Sequence, residues 1–379
     1  MTERDRFWSA FEGTVCDRPP RYEQAFASNV GSAILGRRAY TGAVMLHYEE
    51  AVAAVRGPDA HEAFLRQVEE DVVDLARTLG WGAVAPPWLR GRPTRQVGEY
   101  DFLYGDPEGA WTVCRYDPEA CSYGPIRQSR RPEWRGPEAI REAVDAQWRS
   151  VEAWSESQER QLRESTMRWL DLAGGRFEVL GRGGGLSVPL NEEWMIACAL
   201  EPDLVEEYLK AQVAAGIRRI AVQADLGLRV VWGGGDLADN RGPLYGPGFF
   251  VDRVLPRYRE LAEAAHEHGM VYFFRSDGDL RGIADGLFGE DGVDGYGEID
   301  YDAGMRIPDL LARYPGLTCW GNVSSRLLRL GRPDDVRHEV ETLMEEALPH
   351  GRWILGTSNS VLAGTPAENV MAMVEAAEG

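Results

Sequence analysis

The sequence predicts an α/β fold built around a parallel β-sheet. From residue 201 to the end of the chain, short apolar segments alternate with amphipathic helical segments. Such alternation produces right-handed β-α-β crossovers, which place helices on the faces of a parallel sheet. At 379 residues the chain is long enough for one large unit of this kind with an extension. The alternation itself leaves two architectures open, a closed barrel and a doubly wound open sheet.

The predicted elements of this regular part follow one another as helix and strand in turn. Each strand body is rich in Val, Ile, Phe, Trp and Tyr, and each helical segment repeats apolar residues every three to four positions. The predicted helices lie at 201–216, 248–269, 280–288, 303–314, 333–348 and 366–377, and the predicted strands at 228–236, 270–278, 295–299, 317–323 and 352–360.

The first part of the chain is less regular. Residues up to about Gly80 are predicted to be mainly helical, and Gly80 is a natural helix terminator. A short strand at 81–88, an extended piece around Val113 and a charged helix at 137–172 follow. The stretch 176–185 is predicted as a strand that runs into a flexible glycine-rich loop, because GRGGG lacks the Lys-Ser/Thr of a phosphate-binding loop.

Composition restricts the partners and the compartment. The chain carries 41 Lys and Arg against 61 Asp and Glu, a formal net charge of -20, which repels nucleic-acid backbones and anionic lipid surfaces. The sequence contains no run of about 18 apolar residues and no signal-peptide pattern. The five cysteines are scattered without a C-x-x-C pair, as is typical of reduced thiols. We therefore expect a cytoplasmic protein with no nucleic-acid or membrane partner; a homodimer is left open.

Polar residues gather where the predicted strands end. The stretches GGGD, RSDG, GEID, GNVSS and TSNS all follow apolar strand bodies. In barrels and in doubly wound sheets alike, ligands bind at the carboxyl ends of parallel strands. These positions are therefore the candidates for a functional site.

The order and spacing of these stretches resemble the uroporphyrinogen decarboxylase superfamily. The residues that carry the resemblance are "GGDLADNRGPLYGPGFF", "RSDG", "GVDGYGEID", "WGNVSSRLLRLGRPDDVRHEV" and "WILGTSNSVLAGTPAENVMAMVEA". The resemblance implies a (β/α)₈ TIM barrel over residues 81–379, with residues 1–80 as a helical extension packed on it. It also implies an enzyme related either to the decarboxylase of heme biosynthesis or to cobalamin-linked methyltransferases.

The sequence departs from both groups at their functional motifs. Zinc-dependent methyltransferases of the superfamily carry His-x-Cys where this chain has Arg275 and Asp277, and a further Cys near the last strand, where residues 357–360 are Thr-Ser-Asn-Ser. A guanidinium has no lone pair to give to a metal, so zinc is not expected. The Arg-Gln-Ala-Gly-Arg motif of the decarboxylase has only a loose echo in RPPRYEQAF.

Arg275 and Asp277 are the predicted catalytic residues. They lie two positions apart on one strand, so their side chains share a face. One interpretation is an ion pair with each other or with a neighbouring strand. The other is that Arg275 binds a substrate carboxylate while Asp277 transfers a proton.

The predicted substrate-binding residues are polar or aromatic side chains at the remaining strand ends: Asp236, Asp239, Glu298, Asn322, Ser358, Asn359, Trp232 and Trp320. Asp236 and Asp239 have loop-bracing as an alternative role. Oxygen ligation of Mg²⁺ or Mn²⁺ by Asp236, Asp277 and Glu298 is a further alternative, opposed by the neighbouring positive charge of Arg275.

Three functions are therefore carried forward. The preferred one is methyl transfer from a small carboxylated or methoxylated substrate, with the methyl group passed to a corrinoid carried by a partner protein. The second is a decarboxylase or other lyase of the uroporphyrinogen decarboxylase type. The third is a barrel that binds a metabolite without catalysis.

Overall fold

The computed structural model describes residues 1–130, 133–290 and 292–378. In this part of the chain the α-helices are α1 (Glu3–Glu12), α2 (Ser28–Leu35), α3 (Ala43–Val55), α4 (Pro58–Leu79), α5 (Pro137–Glu152), α6 (Glu156–Ala173), α7 (Glu192–Leu200), α8 (Pro202–Asp225), α9 (Pro247–Phe249), α10 (Leu255–Glu267), α11 (Ala284–Phe288), α12 (Ile307–Arg313), α13 (Ser325–Leu330), α14 (Pro333–Glu346) and α15 (Ala367–Ala376). A π-helical turn (Phe250–Val254) and a 3₁₀ turn (Leu348–His350) accompany them.

The strands are β1 (Ala83–Val84), β2 (Arg95–Gln96), β3 (Asp101–Gly105), β4 (Trp111–Asp117), β5 (Ser122–Gln128), β6 (Glu178–Gly185), β7 (Val230–Gly234), β8 (Ala238–Asp239), β9 (Gly242–Pro243), β10 (Val271–Arg275), β11 (Gly295–Gly297), β12 (Thr318–Val323) and β13 (Trp353–Thr357). Within the described residues, a 7-stranded sheet has the order β1-β6-β7-β10-β11-β12-β13. All of its neighbours pair in parallel.

A segment of the amino-terminal region joins the two edges of this curled sheet. The amide of Leu355 in β13 donates to the carbonyl of Pro20 (2.8 Å), and Tyr22 donates back to Leu355 (3.1 Å). On the other side, Gly82 next to β1 donates to the carbonyl of Arg21 (2.8 Å). Residues 20–22 thus take the place of an eighth strand, and the predicted TIM-barrel fold is confirmed.

The inside of the barrel is filled by large apolar side chains. Trp320 and Phe273 are completely buried, and Trp232 is almost so. The rings of Tyr22, Trp232 and Trp320 contact one another, with the Tyr22 centroid 5.5 Å from each indole. The other members of this cluster are Phe7, Ala10, Ala83, Ala85, Leu180, Val230 and Ile354. The barrel is therefore a packed core rather than a pore, and ligands are restricted to its ends.

Helix α1 covers the end of the barrel where the strands begin. The carbonyl of Ala10 accepts a hydrogen bond from Thr318 at the start of β12 (2.9 Å). At the start of β6, Glu178 accepts hydrogen bonds from Arg4 (3.0 Å), Trp8 (2.7 Å) and Arg229 (2.7 Å) through a single carboxylate oxygen. This end of the barrel is closed and its buried charge is compensated.

Two features differ from the sequence-based expectation. Strands β2 to β5 form a 4-stranded antiparallel sheet, of which only the piece around Val113 was predicted. It packs on α3, where the rings of Tyr48 and Tyr116 stack 4.0 Å apart. The glycine-rich stretch belongs to strand β6 instead of forming a flexible loop. A Cβ at Gly184 would lie 2.7 Å from Val231, so the close packing of β6 on β7 requires glycine there.

In the part of the chain that the structure describes, no helix is long and apolar enough to cross a membrane. The proposed boundary between residues 80 and 81 stays a prediction.

Candidate functional site

Arg275 ends strand β10 at the carboxyl end of the barrel and is buried. Its Nη1 atom lies 3.0 Å from Oε2 of Glu298, which follows the neighbouring strand β11, and 3.9 Å from Oδ1 of Asp236, which follows β7. Its guanidinium carbon lies 4.2 Å from the ring centroid of Trp88. Arg275 is thus paired with a carboxylate on an adjacent strand instead of with Asp277.

Glu298 is the centre of a buried hydrogen-bond network. Its second carboxylate oxygen accepts a hydrogen bond from Gln24, whose amide also donates to the carbonyl of Asn359 (3.1 Å). Burial raises the pKa of Glu298, and the charge of Arg275 opposes that effect. Glu298 has a φ of 61°, a left-handed conformation that is uncommon outside glycine, and its side chain is fixed by the contacts with Gln24 and Arg275.

Asp277 lies in the loop after β10 and belongs to the same network. Its Oδ2 atom accepts a hydrogen bond from the side-chain amide of Asn359 (3.2 Å). Burial raises the pKa of Asp277 to about 6, and the negative charges of Glu298, Asp236 and Asp300 add to the effect. A carboxyl group with a pKa near neutrality can both give and take a proton, as a general acid or base must.

Arg182 on strand β6 is a second cation at this end of the barrel. Its guanidinium carbon lies 5.6 Å from the ring centroid of Trp88, so this indole contacts both arginines. Its Nε atom donates to the carbonyl of Pro86, and among the described residues no carboxylate lies within ion-pair distance of it. Burial lowers the pKa of Arg182 to about 10, which leaves it protonated at neutral pH.

A cleft of about 420 Å³ opens beside Arg182 and Arg275 at the carboxyl ends of β6, β7 and β10. Asp277 and Glu298 lie next to Arg275 and do not line the cleft themselves. Its lining combines cations, one carboxylate, aromatic rings and close-packed backbone: Trp88, Arg182, Gly183, Gly185, Leu186, Ser187, Arg219, Trp232, Gly233, Gly234, Gly235, Asp236 and Arg275. Arginines and indoles around a small cleft suit an anion with a flat apolar body.

The loop that carries Trp88 is held in position by the buried carboxylate of Glu50. Glu50 of α3 accepts hydrogen bonds from the backbone amides of Arg90 (2.8 Å) and Gly91 (2.9 Å). His61 contacts the other oxygen of Glu50 (3.4 Å), and Arg92 donates to His61 (3.0 Å). The amino-terminal helices therefore position one wall of the cleft.

The remaining predicted residues take different positions. Trp232 lines the cleft, whereas Trp320 lies deeper in the barrel core and donates to the carbonyl of Tyr22 (2.6 Å). Asp239 caps a tight turn by accepting from the amide of Arg241 (2.7 Å). Ser358 accepts from the amide of Ser325 at the start of α13 (3.2 Å).

Asn322 lies away from this cleft. Its amide donates to the carbonyl of Met305 (3.1 Å), and it borders a separate cleft of about 550 Å³ with Tyr301, Arg306 and Glu339. The structure therefore groups Arg275, Asp277, Glu298, Asn359 and Asp236, with Trp232 beside them.

Three residues of the site escaped the sequence analysis: Gln24, Trp88 and Arg182. Gln24 belongs to the RPPRYEQAF stretch, noted only as a loose motif echo. Arg182 was visible as an arginine inside an otherwise apolar and glycine-rich strand, a pattern that indicates a buried cation. Trp88 carried no such signal, because a tertiary contact brings its loop over the barrel.

The donor set does not fit zinc. The positions of the superfamily's His-x-Cys ligands hold a guanidinium engaged with Glu298 and the carboxyl group of Asp277. Across residues 1–130, 133–290 and 292–378, no group of three or more His, Cys, Asp or Glu side chains is arranged to hold a metal ion.

Comparison with known proteins gives a family match and a structural match that spans nearly all of both chains. The family model of uroporphyrinogen decarboxylase (URO-D) matches residues 189–379. A methyltransferase from Methanosarcina mazei superposes with a TM-score of 0.65 over 99% of this chain and 98% of that chain, at 16% identity, which shows a shared fold.

Other comparisons add little. A dihydrodipicolinate synthase from Oceanobacillus iheyensis covers 60% of this chain and 64% of its own, at 12% identity and a TM-score of 0.30, a likeness too weak to carry an argument. No curated protein matches the sequence.

Proposed function

Because the chain belongs to the uroporphyrinogen decarboxylase family, we propose that it is a barrel enzyme that demethylates a small methoxylated carboxylic acid. The acceptor of the methyl group in this proposal is a corrinoid on a separate protein, which reaches the open end of the barrel as a co-substrate. The cleft binds the acid through its cationic side chains, and Asp277 transfers the proton.

The proposal is supported mainly by the pKa and the hydrogen-bond partners of Asp277. Its carboxyl group has a pKa of about 6 and lies in one hydrogen-bond network with Glu298 and Arg275 at the mouth of the barrel. When the O–CH₃ bond of the substrate breaks, the bonding electron pair stays on the oxygen, and that oxygen has to be protonated. Asp277 is the proposed proton donor, because a carboxyl group of this pKa is partly protonated at neutral pH.

Arg275 has a supporting role in this scheme. Its positive charge lies beside Glu298 at 3.0 Å and holds the acidic side chains of the site in a fixed arrangement. A preorganised set of charges lowers the barrier of a charge-separating step, because the site does not have to rearrange during the reaction.

Decarboxylation is the second candidate, and the family match favours it. In that reaction the C–CO₂⁻ bond breaks, its electron pair stays on carbon, and Asp277 protonates that carbon. The same residues would serve, with a second carboxylate of the substrate as the group that leaves.

An assay for both products separates the candidates. The protein is incubated with a panel of methoxybenzoic acids and chemically reduced cobalamin, and the demethylated acid is measured by mass spectrometry. Methyl esters of the same acids are the control, because they lack the anionic group. The proposal expects a hydroxybenzoate from at least one free acid and none from its ester. Release of CO₂ from dicarboxylic acids without any demethylation would support the second candidate and contradict the first.

A further inference from the structure

Two arginines contact the same indole at the mouth of the barrel, but only one of them has a carboxylate partner. Arg275 is hydrogen-bonded to Glu298, whereas the guanidinium of Arg182 meets a backbone carbonyl and the ring of Trp88. Arg182 is partly buried, and a cation that is partly withdrawn from water without an ion-pair partner is stabilised by an anionic ligand.

Two further donors beside Arg182 are buried and unsatisfied. The indole Nε1 of Trp232, which lines the cleft and is 2% exposed, and the hydroxyl of Tyr22, which is 0% exposed, have no hydrogen-bond partner among the described residues. Their rings lie 5.5 Å apart. Burial raises the pKa of Tyr22, so its hydroxyl keeps its proton and stays a donor. Unsatisfied buried donors are rare in native proteins and call for an acceptor.

We propose that Arg182 and the indole N–H of Trp232 form the subsite that holds the carboxylate of the substrate, while Arg275 stays paired with Glu298. This inference rests on the proposed function and identifies which side chains bind the carboxylate of its substrate. The planar guanidinium of Arg182 matches a carboxylate with two parallel hydrogen bonds, and the indole N–H adds a third donor.

The charge balance defines the substrate class. Arg182 and Arg219 both line the cleft without an ion-pair partner among the described residues, whereas Arg275 lies near Asp236 and Glu298. The three arginines therefore exceed the two carboxylates by one charge, which a monoanion neutralises. The exposed indole of Trp88 offers a flat apolar wall at the same cleft. The subsite therefore fits a small monocarboxylate with a flat body, of which benzoate is the simplest probe.

The indole N–H of Trp232 reports directly on the subsite. In a ¹H–¹⁵N spectrum of uniformly ¹⁵N-labelled protein its resonance is assigned as the indole peak that Trp232→Phe removes. Sodium benzoate should shift that peak along a saturable curve, and neutral benzamide should not. Inorganic phosphate serves as the competing anion.

Substitution of Arg182 then tests whether its side chain binds the carboxylate. Arg182→Lys keeps the charge but loses the planar fork, so the dissociation constant of benzoate should rise by about 10- to 100-fold, as expected for charged hydrogen bonds. Arg229→Lys is the matched control, because Arg229 also stacks on an indole, 3.9 Å from the ring centroid of Trp8, but at the opposite end of the barrel. Its benzoate affinity should equal that of the wild type.

The outcomes separate this inference from the proposed function. A Trp232 peak that benzoate does not move, an unchanged benzoate affinity in Arg182→Lys, or tighter binding of phosphate than of benzoate would each overturn the subsite. The first of these tests measures wild-type protein and needs Trp232→Phe only to assign the peak. Benzoate binding at Trp232 without demethylation of any methoxybenzoate would instead overturn the proposed reaction and leave the subsite standing.

Discussion

Strand β6 carries a buried carboxylate, Glu178, towards the closed end of the barrel and a partly buried cation, Arg182, towards the open end, and the two charges differ in how the protein compensates them. Glu178, where the strand begins, receives hydrogen bonds from three donors. Arg182, four residues further along the same strand, has no carboxylate within ion-pair distance among the described residues. The closed end of the barrel thus uses charge to hold α1 in place, whereas the open end keeps charge available for a ligand.

The largest effect is expected at Asp277. Asp277→Asn keeps the size of the side chain but cannot exchange a catalytic proton, so turnover should fall by roughly 10²–10⁴-fold, the usual contribution of a general acid. The measurement is the initial rate with any methoxybenzoate that the wild type demethylates.

Asp279→Asn is the control, because Asp279 lies in the same loop and pairs with the exposed side chain of Arg281. It should retain wild-type turnover. Asp277→Asn with full activity would remove Asp277 from the mechanism.

Glu298→Gln removes the closer of the two carboxylates beside Arg275 at the open end. The side chains of Arg275 and Glu298 are each 6% exposed, so the variant leaves a buried guanidinium with only the more distant and exposed carboxylate of Asp236 nearby. Breaking such a pair costs about 3–5 kcal/mol, which should appear as a lower free energy of unfolding in urea. A loss below about 1 kcal/mol would indicate that Arg275 does not depend on Glu298.

Glu178→Gln tests the closed end. Arg4 and Arg229 remain partly solvated when the carboxylate is replaced, so the loss should be limited to that of charged hydrogen bonds, about 1.5–3 kcal/mol. Glu375→Gln, which breaks an exposed ion pair with Arg337, should cost less than about 1 kcal/mol and serves as the control for urea unfolding. Equal losses in both variants would contradict the structural role of Glu178.

The smallest effect concerns the pH dependence of stability at Asp277. Its pKa is raised from 3.8 to about 6 in the folded chain, so the folded state binds this proton more tightly than the unfolded state. The resulting stabilisation is complete below pH 3.8 and is lost as the pH rises through 6. Asp277→Asn cannot ionise, so it should unfold at higher urea than the wild type at pH 7.5, and the difference should vanish towards pH 4.

The control variant should show the opposite pH dependence of stability. The hydrogen bond from Arg281 lowers the pKa of Asp279, so Asp279→Asn should be less stable than the wild type at pH 7.5 and should approach it as the pH falls. An Asp277→Asn variant that follows the same trend would show that Asp277 is stabilised as an anion.

The barrel was predictable from the sequence because its signal is repetitive. Alternating apolar strands and amphipathic helices after residue 201 determine a parallel sheet, and the polar strand ends put Arg275 and Asp277 at its carboxyl edge. The antiparallel sheet was missed because β5, Ser122–Gln128, contains Gly124 and Pro125 and is mostly exposed, so it lacks an alternating apolar pattern.

The composition of the site was less predictable than its location. The partner of Arg275 could not be read from spacing, because Glu298 lies on another strand and Gln24 comes from the segment that closes the barrel. Trp88 depends on a loop that Glu50 holds over the cleft. Such residues come together only through tertiary packing, which a single sequence does not display.

Glu178 and Arg182 of β6 are expected to have different purposes, the first structural and the second in ligand binding, and one paired measurement distinguishes them. The urea midpoint of unfolding and the dissociation constant of benzoate are measured for Glu178→Gln and Arg182→Met. The account predicts that Glu178→Gln loses stability and keeps its benzoate affinity, while Arg182→Met keeps its stability and loses at least about 10-fold in affinity. If Arg182→Met unfolds as early as Glu178→Gln and still binds benzoate like the wild type, the charge at the open end is structural and the account is wrong.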